Sequence, residues 1–402
     1  MAGYAPWPST PPDSCPLEVS QDLRGIAFTG RHAAYTTADT WYASWASDGH
    51  LYSPWTDGQV GSWAVGSFGI LAATAQAKII GDDPLDLQVV PLGSEFGSPF
   101  PYMGRYPCGS LVKDGIWYYG TYCVDDTNRG LNWDVLGPFV GFRISEDFGL
   151  TWADAPHTPV RPLFGETGKR NGKVKIGKPH FVDFGQNMVH SPDGKAYLLS
   201  HGGTSSHANV TWGSGDEIYL IRVEPTPATI NDPSSYEFFG GEDFAGDPVW
   251  TRDFAHISPL VRWPEGCGCV AATFNAGLGR YLMFVTNCWP TIGPMDTYVL
   301  ESEVLTGPWR LASYMSAFGP QAYFVNLPSK FISSDGRSAW LCYSANYTDR
   351  GNMDRFRIDV GDMGNVLDWS VPPYFKTFAD SFDANPPGSQ YALCLQEIQF
   401  CL

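Results

Sequence analysis

Apolar residues in this chain come in short runs, and a turn signal stands in front of five of them. The signal is an Asp-Gly pair, a short gap, then an aromatic that opens the apolar run. Three copies are close: Asp48-Gly49-His50-Leu51-Tyr52, Asp114-Gly115-Ile116-Trp117-Tyr118 and Asp193-Gly194-Lys195-Ala196-Tyr197. Two are looser: Leu278-Gly279-Arg280-Tyr281 and Asp335-Gly336-Arg337-Ser338-Ala339-Trp340. Asp-Gly between β-rich runs predicts a hairpin, because a type I′ turn needs positive φ at both central residues. The five glycines lie 66, 79, 85 and 57 residues apart. A four-stranded blade with its loops needs about that length. The pattern predicts an all-β chain forming a single-domain, five-bladed β-propeller.

The predicted blades run from about Tyr35 to Ile80, Tyr102 to Ala155, His180 to Phe239, Ile257 to Tyr314 and Tyr323 to Phe375. In blade one the first strand is Trp41–Ala46 and the second is Leu51–Trp55. Residues 1–25, with Pro6, Pro8, Pro11, Pro12 and Pro16, read as an extended N-terminal segment, and residues 26–402 as the propeller. Ring closure borrows a strand from one terminus or the other. The pattern does not say which.

Composition agrees with many short strands joined by turns: 44 Gly, 32 Pro and 15% aromatics. No run of eighteen apolar residues predicts a membrane span. A net charge of −17 disfavours nucleic acid and anionic membranes as partners. The chain has no phosphate-binding glycine loop, no Gly-x-Ser-x-Gly elbow and no His-Glu-x-x-His pair. No cofactor or catalytic metal is expected, with a structural calcium ion in the funnel left open.

The nine cysteines fit no zinc spacing. Cys108 and Cys123 flank the second Asp-Gly turn, and Cys269 and Cys288 flank the fourth. With Asn-x-Thr acceptors at Asn209 and Asn346, they predict a secreted glycoprotein with some disulfides. The competing reading is buried free thiols and chance acceptors. Met1-Ala2-Gly3 opens without an apolar signal core, which reads either as a cytosolic protein or as one whose signal is missing here.

Ser145-Glu146-Asp147-Phe148-Gly149-Leu150-Thr151-Trp152 matches the Asp-box pattern Ser-x-Asp-x-Gly-x-Thr-Trp. Asp147 is expected to cap a tight turn and serve structure. Glu301 and Glu303 share one face of an outer strand and are expected to be exposed. Glu265, in Trp263-Pro264-Glu265-Gly266, is a weaker candidate for chemistry.

In a propeller, residues equally far before and after the inner hairpin turn meet at the opposite end of the blade, around the funnel mouth. In blade one, Asp39 stands nine residues before Asp48 and Asp57 nine after it. Directly opposed carboxylates cannot ionise independently, so one becomes a proton donor and the other a charged partner. Glycoside hydrolysis uses such a pair. The same offset nominates Arg105, Tyr106 and Asp125 in blade two, and His180, Asp183 and His201 in blade three. It adds Asn287 in blade four and Tyr323, Asn326 and Asn346 in blade five. With Trp41 as a stacking ring, the set suits a neutral sugar. Each residue could equally be a strand-end cap or a core side chain.

These residues resemble the five-bladed β-propeller glycosidases, of the arabinanase and xylosidase type, and most of all the endo-D-arabinanase family. The resemblance rests on Asp39-Thr-Trp41 through Trp55-Thr-Asp57-Gly58, on the Asp-Gly-aromatic repeats and on Leu305-Thr-Gly-Pro-Trp309. It implies hydrolysis of a furanoside or related glycan by Asp39 and Asp57, and it adds Glu265 near the place of an acid Glu. The chain departs from the arabinanase type at the blade-two entrance, where Arg105 replaces an Asp. Two rival readings follow. One is a lyase acting on a uronate with a His or Tyr base and Arg105. The other is a propeller that binds glycan without turnover.

Overall fold

The structure is a computed structural model. It describes residues 6–7, 10–67, 71–97, 104–125, 135–169, 172–287, 295–316, 318, 323–344 and 392–402. Five sheets form five blades. Blade one orders its strands Ser44–Trp45, Leu51–Trp55, Ala73–Ile80 and Gln88–Phe96 from the axis outward. Blade two has Gly104–Lys113, Ile116–Asp125 and Val135–Ser145. Blade three starts at His180–Phe181 and continues through Ala196–Gly202, Gly215–Val223, Glu237–Glu242 and Pro248–Thr251, with Pro259–Cys267 also paired to Gly215–Val223. Blade four has Cys269–Asn275, Arg280–Asn287, Asp296–Ser302 and Arg310–Met315.

Blade five answers the closure question with both termini. Tyr323–Asn326 and Ser338–Ser344 pair onward to Leu393–Phe400, and Ile26–Tyr35 forms the outer edge. The N-terminal strand thus belongs to the last blade, and blade five takes its third strand from beyond the predicted limit at Phe375. Blade one extends to Phe96 rather than Ile80, because Gln88–Phe96 pairs with Ala73–Ile80 along its whole length.

The repeated motif has a local cause that differs from the one expected. Asp114 and Gly115 have φ of 53° and 83°, as a type I′ turn requires. At Asp48-Gly49, Asp193-Gly194 and Asp335-Gly336 only the glycine has positive φ. There the Asp carboxylate accepts the N–H two residues on, from His50, Lys195 and Arg337, at 3.0–3.1 Å. These are Asx-type turns, in which the side chain holds the bend. The aromatic completes the device: Tyr52 and Tyr197 donate their O–H groups back to Asp48 and Asp193.

Between blades the core is aromatic. Trp41 and Trp55 are fully buried and stack 6.4 Å apart, and Trp117 lies against Tyr52, Tyr119 and Trp152. Truncating such a buried aromatic costs about 3–5 kcal/mol. Asp147 accepts from Ser145, Leu150 and Thr151, and these bonds lower its carboxyl to about 2.

Two expectations are corrected here. Glu301 is buried, 1% exposed, because Ser20 of the N-terminal segment covers it and donates to it at 2.8 Å. Glu303 stays exposed and pairs with Arg280. Cys108 and Cys123 are free thiols. The hairpin register sets Arg105 opposite Cys123, and an irregularity between Pro107 and Ser110 keeps Cys108 out of line with it. Cys269 is also a free thiol, and Cys288 lies outside the described residues.

Candidate active site

Near the Asp48-Gly49 turn the register is the predicted one, with Ser44 opposite Tyr52 and Trp45 opposite Leu51. Towards the mouth it slips by one residue. Asp39 pairs with Thr56, exchanging both backbone hydrogen bonds at 2.9 and 3.0 Å. Thr40, with φ of 67°, lies in the slipped stretch. The expected face-to-face Asp39–Asp57 pair is therefore offset by one position.

Strand alternation would send neighbouring side chains to opposite faces. Asp57 escapes it, because its φ of 46° breaks the strand. Its carboxylate turns to Ser67, accepting the N–H at 2.7 Å and the O–H at 2.5 Å. The Ser67 carbonyl in turn accepts Arg105 N–H at 2.9 Å. Asp57 thus sits where blade one leaves the mouth and blade two enters it. Burial raises its pKa, and the two Ser67 donors oppose the rise. Asp39 is buried, and Thr40 Oγ1 donates to it at 2.6 Å. Its charge is felt at the Tyr42 and Tyr122 phenols, which burial already raises well above the ordinary tyrosine value.

Around those phenols the axis is packed. Tyr42 of blade one meets His180 of blade three with ring centroids 3.9 Å apart, and Tyr106 lies 5.5 Å from Tyr122. On the turn side of the Tyr42–His180 pair, a cavity of about 40 Å³ remains. His201 Nε2 is 2.9 Å from the Thr211 carbonyl, so that nitrogen carries the proton. Burial, then the charge of Lys178, lowers the His201 pKa to about 3. The same two causes push His180 well below the ordinary histidine value. Both imidazoles are neutral at physiological pH.

Lys178 is a buried cation at the axis that the sequence reading missed. It is fully buried, with Nζ 3.9 Å from the centre of the Phe324 ring and within 5.5 Å of the Tyr122 and Trp212 rings. Nζ also donates to Cys269 Sγ at 3.1 Å and to the Trp212 carbonyl at 3.4 Å. Aromatic faces and these acceptors hold a cation in a place that would otherwise reject it. The signal was a lone charge inside Gly177-Lys178-Pro179-His180, at the entrance of an inner strand. The offset rule passed over it because blade three joins its first two strands by a long link. That link holds the 3₁₀ turn Gln186–Met188 rather than a tight hairpin.

The same link moves Asp183 to the wrong end. Its carboxylate accepts from Gly185 N and from Ser329 N and Oγ, and its backbone bonds Ala272 and Phe274. It locks blades three, four and five together near the turn end of the axis. Trp41 is a core side chain with its indole N–H on the Ala38 carbonyl, so it presents no stacking face. Asn326 is buried and donates to the Trp41 and Phe324 carbonyls. The Arg105 guanidinium bonds Thr121 and lines a cavity between blades one and two, away from the funnel. Asn287, at the exit of blade four, donates to the carbonyl of Glu265, which is exposed. Asn346 and the side chains of Asp125 and Tyr323 lie outside the described part of the structure. Among the described residues, no group of three or more His, Cys, Asp or Glu is placed to hold a metal ion.

The chain is similar in structure to glycoside hydrolases of families 43 and 117. The GH43_1 enzyme of Xanthomonas citri aligns over 80% of this chain and 85% of its own, with 14% identity and a TM-score of 0.44. A family 117 glycoside hydrolase of Zobellia galactanivorans aligns over 92% and 90%, with 11% identity and a TM-score of 0.44. A xylan β-1,4-xylosidase of Bacillus halodurans covers 83% of this chain and 52% of its own, at 12% identity and a TM-score of 0.42. No protein-family model matches the chain, and no curated protein matches it in sequence. Five blades around one axis are established by the sheets themselves.

Proposed function

We propose that this protein is a glycoside hydrolase acting on a neutral poly- or oligosaccharide, a furanoside or related sugar. Asp57 is the proton donor and Asp39 its carboxylate partner. One observation carries the reading: two carboxylates flank the mouth of blade one in unequal settings. Asp57 has its pKa raised by burial and is partly open to solvent, whereas Asp39 sits deeper beside Tyr42 and Tyr122. Unequal environments are how paired carboxylates divide acid and base roles.

In this reading, protonated Asp57 delivers its proton to the leaving glycosidic oxygen as the C–O bond breaks. Asp39 faces the developing positive charge at the anomeric carbon, either as nucleophile or as base for water. Lys178 and the neutral histidines, all buried, fix the packed axis beneath the mouth. That the Arg105 guanidinium bonds Thr121 and lines the cavity between blades one and two favours this reading over a uronate lyase, which would use it for charge neutralisation.

The test is a screen of arabinans, xylans and other neutral polysaccharides, with new reducing ends measured for wild type, Asp39→Asn and Asp57→Asn. Turnover by wild type and its loss in both variants supports the proposal. Unsaturated product absorbing in the ultraviolet supports elimination instead. Binding without turnover, unchanged in Asp39→Asn, identifies a lectin-like propeller.

A further inference from the structure

We propose that the seam between blades one and two is a binding site for an oxyanion, built on Arg143 and separate from the funnel. Arg143 is 6% exposed. Its guanidinium lies over the Tyr119 ring at 4.5 Å and the Trp152 ring at 5.2 Å, and Nη2 donates to Thr74 Oγ1 at 3.1 Å. Nε and Nη1 have no hydrogen-bond partner among the described residues. A buried guanidinium with its N–H edge unused is a costly arrangement unless something negative completes it.

The seam has room for that partner. A cavity of about 180 Å³ is lined by Arg143, Arg105, Thr74, Thr121 and His157, with Phe96, 77% exposed, beside it. That exceeds the space of a single water. Planar guanidinium edges suit carboxylate, sulfate and phosphate oxygens, to which they donate charge-assisted bonds. Glu95 and Asp154 line the same cavity. Their charges favour the Arg143 cation but neither carboxylate bonds Nε or Nη1, and they oppose a polyanion more than a single oxyanion group. The ligand is therefore a single phosphate, sulfate or carboxylate, free or carried on a sugar.

The test is calorimetric titration of the whole chain with inorganic phosphate, with ionic strength held constant by sodium chloride. Wild type is expected to bind one phosphate per chain. Arg143→Gln should weaken binding at least tenfold. Because that variant alters a buried residue, Ala155→Phe is measured beside it. It fills the cavity and leaves both arginines in place, and it should abolish binding with the melting temperature preserved. Glucose 6-phosphate binding more tightly than inorganic phosphate would identify a sugar-borne group, and equal or weaker binding a free anion. The absence of saturable binding in wild type, or binding unchanged in Ala155→Phe, would overturn the proposal.

Discussion

Asp57 owes its protonation behaviour to burial first and to Ser67 second. Burial raises its pKa, and the Ser67 N–H and O–H pull it back. A general acid works while protonated, so activity should fall as pH rises through the Asp57 pKa. Ser67→Ala removes one stabilising donor to the carboxylate and should move that falling limb to higher pH. A limb that stays in place in the kcat/KM profile would reject Asp57 as the acid. Asp57→Asn should lower kcat by about 10²–10⁴ through loss of proton transfer, and Asp39→Asn should lower it by orders of magnitude through loss of the partner carboxylate, both with unchanged circular dichroism. Asp147 behaves oppositely. Its folded pKa, about 2, lies below the unfolded value of about 3.9. Its contribution is present above the unfolded value and is lost as pH falls through about 2. Asp147→Asn should therefore lower the melting temperature at neutral pH, leave the activity of folded protein intact, and converge with wild type in strong acid.

At the scale of elements, two glycines separate conformational freedom from close approach. Gly49 has φ of 84°, and a Cβ added there would meet nothing within 4 Å. Gly49→Ala should cost about 1 kcal/mol, the backbone penalty alone. A Cβ at Gly58 would lie 1.9 Å from the Thr37 carbonyl oxygen, so Gly58→Ala must displace backbone beside Asp57. Urea unfolding should show a far larger loss for Gly58→Ala. Comparable losses would mean that the close approach of Gly58 to the Thr37 carbonyl is not formed in solution. The Asp-box turn and the Asx turns share one device: a short carboxylate holds backbone N–H groups of its own loop, two at Asp147 and one each at Asp48, Asp193 and Asp335.

For the whole molecule, the ring depends on its outermost borrowed strand. Ile26–Tyr35 pairs with Leu393–Phe400, which pairs with Ser338–Ser344. Deleting residues 26–35 would expose the edge of the C-terminal strand and uncover Phe400 and Ile398, both buried in the intact ring. Exposed edges of this kind template association. The deletion should lower the melting temperature sharply and produce concentration-dependent aggregation in light scattering. An undisturbed monomeric melt would show that blade five closes without the N-terminus.

What the sequence determined by itself is what local chemistry sets. Asp-Gly spacing fixes the tight inner hairpins of blades one and two, tyrosine four residues after Asp48 and Asp193 completes the turn at each, and Ser145 through Trp152 encodes its own loop. Five blades follow from the count of such turns, and the neighbourhood of Asp39 and Asp57 follows from symmetry about one of them. Tertiary structure decided whatever depends on contacts distant in sequence. It slipped the blade-one register by one residue, sent Trp41 and the Arg105 guanidinium into the seams between blades, and covered Glu301 with Ser20. It also gathered Lys178 with Phe324 and Trp212. A side chain's face depends on which blade packs against it, and a buried charge is tolerated only where rings and acceptors from several blades converge. Neither condition is written within one strand's length.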